Sequence, residues 1–104
     1  MDFDPARAGE ANKQRPAVII TNNLANINGV NVVVIPLSSN LISVYPFQMM
    51  LPLQRSQLDQ DSKVQTELIR SVAKSRLLRL LGFVPNDLML EMDSKIILHL
   101  GLSQ

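Results

Sequence analysis

The sequence predicts a small, mainly β domain closed by one C-terminal amphipathic helix, and three observations carry that expectation. Residues 16–54 contain no Asp, Glu, Lys or Arg and hold most of the β-branched side chains. The apolar runs inside that block are too short for typical helices. Near the C-terminus, by contrast, Leu88, Met92, Ile96 and Leu100 recur every four residues, the spacing of one helix face.

Residues 17–21 and 30–37 are rich in Val and Ile and read as buried strands. Between them, Asn22, Asn23, Asn26 and the Asn28-Gly29 pair read as a turn or hairpin loop, Asn-Gly being a strong local signal. Residues 44–53 form a third extended stretch, because Pro46 and Pro52 are excluded from a helix interior and suit edges and bulges. Residues 64–72 fit strand and helix periodicity equally well. A short helical turn is expected over 74–79 and another strand over 80–84. Pro85 suits the first turn of a helix, with Asn86 and Asp87 placing polar and negative groups at its N-terminal dipole and Gly101 ending it. Met89, Leu90 and Ile97 widen the apolar stripe. Many short strands with a single long helix predict a small barrel.

A chain of 104 residues buries one modest core and lies near the size at which a partner chain adds stability, so a homodimer is expected. Its net charge of +1 excludes binding to nucleic acid by bulk electrostatics, leaving only a local patch for that task. The absence of cysteine excludes disulfides and thiolate zinc sites and fits a reducing cytoplasm. No charged-then-apolar signal pattern and no apolar run of membrane-spanning length occurs, so a cytoplasmic location without membrane contact is expected. There is no internal repeat, low-complexity tract or linker. The single histidine, His99, excludes a histidine-pair mechanism within a monomer and suits packing or a helix-end dipole contact. No metal-ligand cluster or glycine-rich phosphate loop supports a metal hydrolase or a nucleotide-binding protein, and no cofactor is expected.

The opening stretch is the most informative. Asp2-Phe3-Asp4-Pro5 runs through Gly9-Glu10 to Arg15-Pro16-Ala17-Val18-Ile19-Ile20. It is followed by Pro36-Leu37-Ser38-Ser39-Asn40, Tyr45-Pro46-Phe47, Asp61-Ser62, Ile69-Arg70-Ser71-Val72, Lys74-Ser75-Arg76-Leu77 and Leu98-His99-Leu100-Gly101-Leu102. In order and spacing these blocks resemble the MazF/PemK toxins of type II toxin-antitoxin systems over almost the whole chain. The resemblance implies an SH3-like small barrel of the CcdB/PemK/MazF type with a C-terminal helix, and it favours a strand over residues 64–72. It further implies a metal-independent endoribonuclease with sequence preference, cutting single-stranded RNA to 2′,3′-cyclic phosphate and 5′-hydroxyl ends. Its expected partners are RNA, a second copy of the chain and a MazE-like antitoxin whose flexible tail occupies the RNA groove. The family carries further residues ahead of Asp2, including an Arg-Gly-Asp/Glu opening. The single domain, 1–104, is therefore expected to lack the start of its first strand.

The resemblance also implies the site. Cleavage by a 2′-hydroxyl needs a cation at the phosphoryl oxygens and a path for two protons. Arg15, in the family's Arg-Pro pair, is the expected cation, because a guanidinium stays charged and its fork matches phosphate. Ser38 stands where the family usually has a catalytic Thr; its hydroxyl can donate to a non-bridging oxygen, and it lacks the methyl that restricts a Thr rotamer. Ser39 beside it is the alternative hydroxyl and a candidate RNA contact. Glu10 matches an acidic position near the reacting phosphate, as a proton acceptor or an orienting group for Arg15. Residues 6–14, with Ala8-Gly9 in place of the frequent Gly-Ser, are expected to form the loop that gates the groove, and Lys13 in it to contact RNA. Arg70, Lys74, Arg76 and Arg79 form the densest basic stretch, in which the first three are candidate phosphate contacts. Leu68 replaces a Gln that the family often has. Phe3, Tyr45, Phe47 and Phe83 are the only aromatic rings available for stacking on bases.

Two other readings remain open from the sequence. One is a non-catalytic, CcdB-like gyrase poison of the same fold, although those relatives carry an essential Trp-Gly near the C-terminus and this chain has no tryptophan. The other is an inactive, truncated toxin that still binds antitoxin, suggested by the short start and by Ser38 and Leu68.

Overall fold

The computed structural model describes residues 15–21 and 28–102. Glu10, Lys13, the loop over residues 6–14, the chain start with Phe3, and Asn22, Asn23 and Asn26 lie outside the described residues.

Within them the chain runs β1 (Ala17–Ile19), β2 (Asn31–Ser38), β3 (Met49–Leu51), a four-residue helix α1 (Leu53–Ser56), β4 (Ser62–Val64), β5 (Arg70–Ala73) and α2 (Asn86–Leu100). The five strands make one antiparallel sheet, a half-barrel centred on β2. β1 lies along one edge of β2 with Ala17 opposite Pro36 and Ile19 opposite Val34. On the other edge β5 pairs with residues Asn31 to Val34 and β4 with Leu37 and Ser38, while β3 lies outside β4. β2 is central because its Val-Val-Val-Ile run is apolar on both faces, as a strand covered on both sides requires.

The main core joins Val18, Ile35, Leu37, Met49, Leu51 and Val64 of the sheet to Leu88 and Met92 of α2. A smaller cluster of Val32, Val34 and Val72 lies on the other side of β2. Nearly all the buried apolar strand residues thus come from the uncharged block 16–54. α2 matches expectation closely: Pro85 precedes it, and Gly101, with φ 68°, ends it in the left-handed conformation that glycine adopts at least cost. Leu88 and Met92 are buried and Ile96 packs on the core, but Leu100 at the end of the stripe is 49% exposed. The His99 ring packs on Phe47 at 5.1 Å, as a packing role anticipated.

Three elements differ from expectation. The stretch 64–72 is not one strand. Gln65 N–H donates to Pro36 O, one further rung beyond β4, and the chain then turns through a 3₁₀ segment, Thr66–Leu68, before β5 begins. Thr66 is fully buried there, and the Glu67 carboxylate accepts from the buried Gln48 side chain at 2.9 Å, so side-chain anchoring interrupts the ladder. Residues 80–84 form no strand; the segment runs without regular structure between the 3₁₀ turn at Lys74–Arg76 and α2. Only Met49–Leu51 of the stretch 44–53 is a strand; Gln48 N–H bonds Tyr45 O in a turn, and Pro52 opens α1. The helical turn expected over 74–79 is a 3₁₀ turn at Lys74–Arg76.

Candidate functional site

Arg15 and Ser38 come together because of the β1–β2 register. With Ala17 opposite Pro36, and Leu37 N–H donating to Pro16 O at 3.1 Å, continuing the pairing two residues places Arg15 across from Ser38. Pro16 has no N–H to offer, so the ladder closes through its carbonyl alone and Arg15 stands at the open end of the strand. Both side chains line a cavity of about 870 Å³, together with Ser39.

Ser38 is the last residue of β2 and half-buried. Its Oγ accepts from Asn40 N–H at 3.1 Å, a local turn that fixes the oxygen while leaving the hydroxyl hydrogen to be donated. Ser39 is exposed and makes no such bond among the described residues. Ser38 is therefore the better held of the two hydroxyls.

The facing wall is a polar loop that sequence reasoning did not single out. Gln57, Leu58, Asp59, Gln60, Ser62 and Gln65 line it, with Leu78, Arg79 and Leu81 from the segment before α2. Three short-range bonds shape the loop: Leu58 N–H to Ser56 Oγ at 3.3 Å, Leu53 N–H to Asp61 Oδ1 at 2.8 Å, and Ser62 Oγ–H to Gln60 O at 3.3 Å. Gln57 takes a left-handed backbone, φ 62°, which costs a side-chain-bearing residue on the order of 1 kcal/mol. Its Oε1 accepts from Phe83 N–H at 3.1 Å.

Two guanidinium groups, Arg15 and Arg79, and one carboxylate, Asp59, are the charges lining the cavity among the described residues. Neither arginine makes a salt bridge to a described residue. The cavity thus offers cations, hydroxyls and carboxamides, a set that holds a phosphodiester and hydrogen-bonds the edges of bases. Arg70, Lys74 and Arg76 lie on β5 and the turn after it and do not line the cavity. Of the basic stretch Arg70, Lys74, Arg76 and Arg79 only Arg79 lines it, the one member not taken as a candidate phosphate contact; the acid-free run was its signal, and only the fold tells which member reaches the cavity. Tyr45 and Phe47 stack on each other at 5.5 Å and are also absent from the lining. No three His, Asp or Glu side chains among the described residues gather into a metal-holding group. No helix among them is long and apolar enough to cross a membrane.

Comparison with known proteins shows the family and the fold. Residues 1–100 match the family described as PemK-like, MazF-like toxin of type II toxin-antitoxin system. The endoribonuclease MazF9 of Mycobacterium tuberculosis is 43% identical over 107 residues, spanning 98% of this chain and 91% of its own. The Mycobacterium tuberculosis toxin MazF-mt6 shares the fold, with a TM-score of 0.79 over 86% of this chain and 89% of that one, at 19% identity. A MazE-MazF structure from Deinococcus radiodurans is similar with a TM-score of 0.74 and 26% identity, over 86% of this chain and 88% of that one.

Proposed function

The chain belongs to the PemK-like, MazF-like toxins of type II toxin-antitoxin systems, and from that premise we propose that it is an endoribonuclease cutting single-stranded RNA in the cavity between β2 and the 57–62 loop. The observation that carries the proposal is the facing of Arg15 and Ser38 across the β1–β2 register at the mouth of one cavity. In this mechanism the scissile phosphate lies between them, and the substrate's own 2′-hydroxyl attacks phosphorus in line. Arg15 neutralises the charge that builds on the non-bridging oxygens, and the Ser38 hydroxyl donates to one of them. The 5′-oxygen leaves as a hydroxyl and a 2′,3′-cyclic phosphate remains, without a metal ion. Glu10 is the proposed orienting or proton-accepting carboxylate, and Lys13, Ser39, Arg70, Lys74 and Arg76 are proposed contacts for the strand on either side of the cut.

The same proposal includes a MazE-like antitoxin and a second copy of the chain as partners. MazE-MazF structures among the similar folds support the first. The CcdB-like alternative has no such support, since the named relatives are MazF proteins.

Incubating the purified chain with a long defined RNA in the presence of a chelator, then mapping the ends, tests the proposal. Cuts bearing 2′,3′-cyclic phosphate and 5′-hydroxyl termini are expected. Intact RNA, or cuts that vanish on chelation, would overturn it.

A further inference from the structure

Leu78 to Val84 is tied down in an unusual way. Among the described residues this stretch makes one hydrogen bond, from Phe83 N–H to the side chain of Gln57. Its ends are held by apolar contact, Leu77 on the small core cluster and Val84 on the main one. Between those anchors Leu78, Leu80, Leu81 and Phe83 are exposed. Arg79, one of the two cations that line the cavity among the described residues, lies within this stretch.

Gln57 is exposed, but the turn that carries it is anchored. Ser56 beneath it is buried and its Oγ holds Leu58 N–H, while Leu58 packs on the main core. That turn forces the left-handed backbone at Gln57 and sends its carboxamide toward Gly82 and Phe83. Gly82 fits this approach: a Cβ there would lie 1.8 Å from Gln57 Oε1 and 2.9 Å from Gln57 Cβ. A left-handed non-glycine residue, a side-chain acceptor for an otherwise unpaired amide and a glycine at the point of closest approach together form a latch.

We infer that Gln57 is a positioning residue, latched on Gly82-Phe83, that holds the 78–83 segment against the cavity so that Arg79 meets an RNA phosphate opposite Arg15. The inference rests on the RNA reading above. Gln57 acts through Arg79: displacing a cation by about 1 Å is enough to forfeit much of a charge-assisted contact.

The test reads binding independently of cleavage. A short 2′-O-methyl RNA pool of random sequence, which has no 2′-hydroxyl to attack, is titrated against the unmodified chain and against Gln57→Met, Gly82→Ala, Arg79→Ala and the double variant Gln57→Met with Arg79→Ala. Met keeps the bulk of Gln57 without its acceptor, and Gly82→Ala opens the latch from the other side, so one unstable variant does not decide the matter. Each latch variant is expected to weaken binding about as much as Arg79→Ala and to make the log–log salt dependence shallower by about 0.7, one single-strand phosphate contact. Gln57→Met is expected to add nothing once Arg79 is Ala, and to speed hydrogen exchange at the Phe83 amide. A latch variant that melts like the unmodified chain and keeps its salt slope, or a fully additive double variant, would overturn the inference alone. No RNA binding by the unmodified chain would overturn the RNA reading and the inference with it.

Discussion

Arg15 and Ser38 stand opposite one another at the end of the β1–β2 pairing, fixed by the bond from Leu37 N–H to Pro16 O. A one-residue slip in that register would turn Ser38 to the other face of the sheet and part it from the cation. Val18 resists such a slip: it is the buried member of β1, packed beside Ile35 and Leu37, and turning it to the other face would expose a side chain worth roughly 1.5–3 kcal/mol. The chemistry is therefore placed by the packing beneath it.

Arg15→Ala is expected to lower the cleavage rate by about 10²–10³, the cost of losing one preorganised donor at developing phosphoryl charge. Arg15→Lys should recover only part of it, because an ammonium keeps the charge but loses the two-pronged geometry. Single-turnover cleavage of one defined RNA measures both. Equal rates for a folded Arg15→Ala protein and the unmodified chain would remove Arg15 from the mechanism.

Ser38→Ala should slow cleavage, and Ser38→Thr should preserve or raise it, since the added methyl restricts the hydroxyl's rotamers. Ser39→Ala is expected to do less than Ser38→Ala, because Asn40 N–H orients Ser38 Oγ whereas Ser39 is exposed and has no such bond among the described residues. If Ser39→Ala abolishes cleavage while Ser38→Ala does not, the hydroxyl has been assigned one residue too early.

Much of this was legible in the sequence for identifiable reasons. α2 announced itself through a four-residue period, Pro85 and Gly101, all local signals. β2 was visible as a short, continuous Val- and Ile-rich run, the mark of a strand buried on both faces. What stayed hidden depends on distant partners. The break at Thr66 follows from Gln48 holding Glu67, 19 positions apart, and the cavity's second wall follows from Gln57 meeting Phe83, 26 positions apart. No propensity records such meetings. Residues 80–84 have strand-forming composition but pair with no strand, and the Gln57 side chain gives the segment a hydrogen bond that no local signal announces.

The Arg55–Asp87 pair predicts a pH dependence. Both Arg55 guanidinium nitrogens donate to the carboxylate, at 2.8 and 2.7 Å, and link α1 to the first turn of α2. The bond from Arg55 holds the Asp87 carboxyl below the usual carboxylate range. A depressed folded value means that the contribution is present above the unfolded value, about 3.9, and is lost as pH falls through the folded one. The melting temperature of the unmodified chain should exceed that of Asp87→Asn at pH 6, and the gap should close on acidification below about pH 4. Exposure and salt screening keep the gap small. A gap that widens in acid would contradict the sign.

RNA and antitoxin should compete. A cavity whose cations hold phosphate also attracts an acidic peptide, because both bring negative charge to Arg15 and Arg79. Adding a MazE-like antitoxin that binds the chain should displace bound RNA in proportion to its occupancy and relieve growth inhibition on co-expression. Independent, simultaneous binding would show that the two use separate surfaces.

Asp59 gives the test with the opposite sign. It is the one carboxylate lining the cavity among the described residues, and in the proposed function it would face a substrate that carries a negative charge at every nucleotide. Neutralising it should help binding. Asp59→Asn is expected to tighten RNA binding about two- to fivefold at low salt, and by less at 0.15 M, where the Debye length is about 8 Å. The cleavage rate at saturating RNA should not change, because the proposed chemistry takes no proton at Asp59. KM and kcat measured separately at two ionic strengths distinguish the outcomes. A lower KM with an unaltered kcat supports a carboxylate that only tempers affinity. A kcat that falls by about 10² while KM holds would make Asp59 the proton acceptor, a role so far proposed for Glu10.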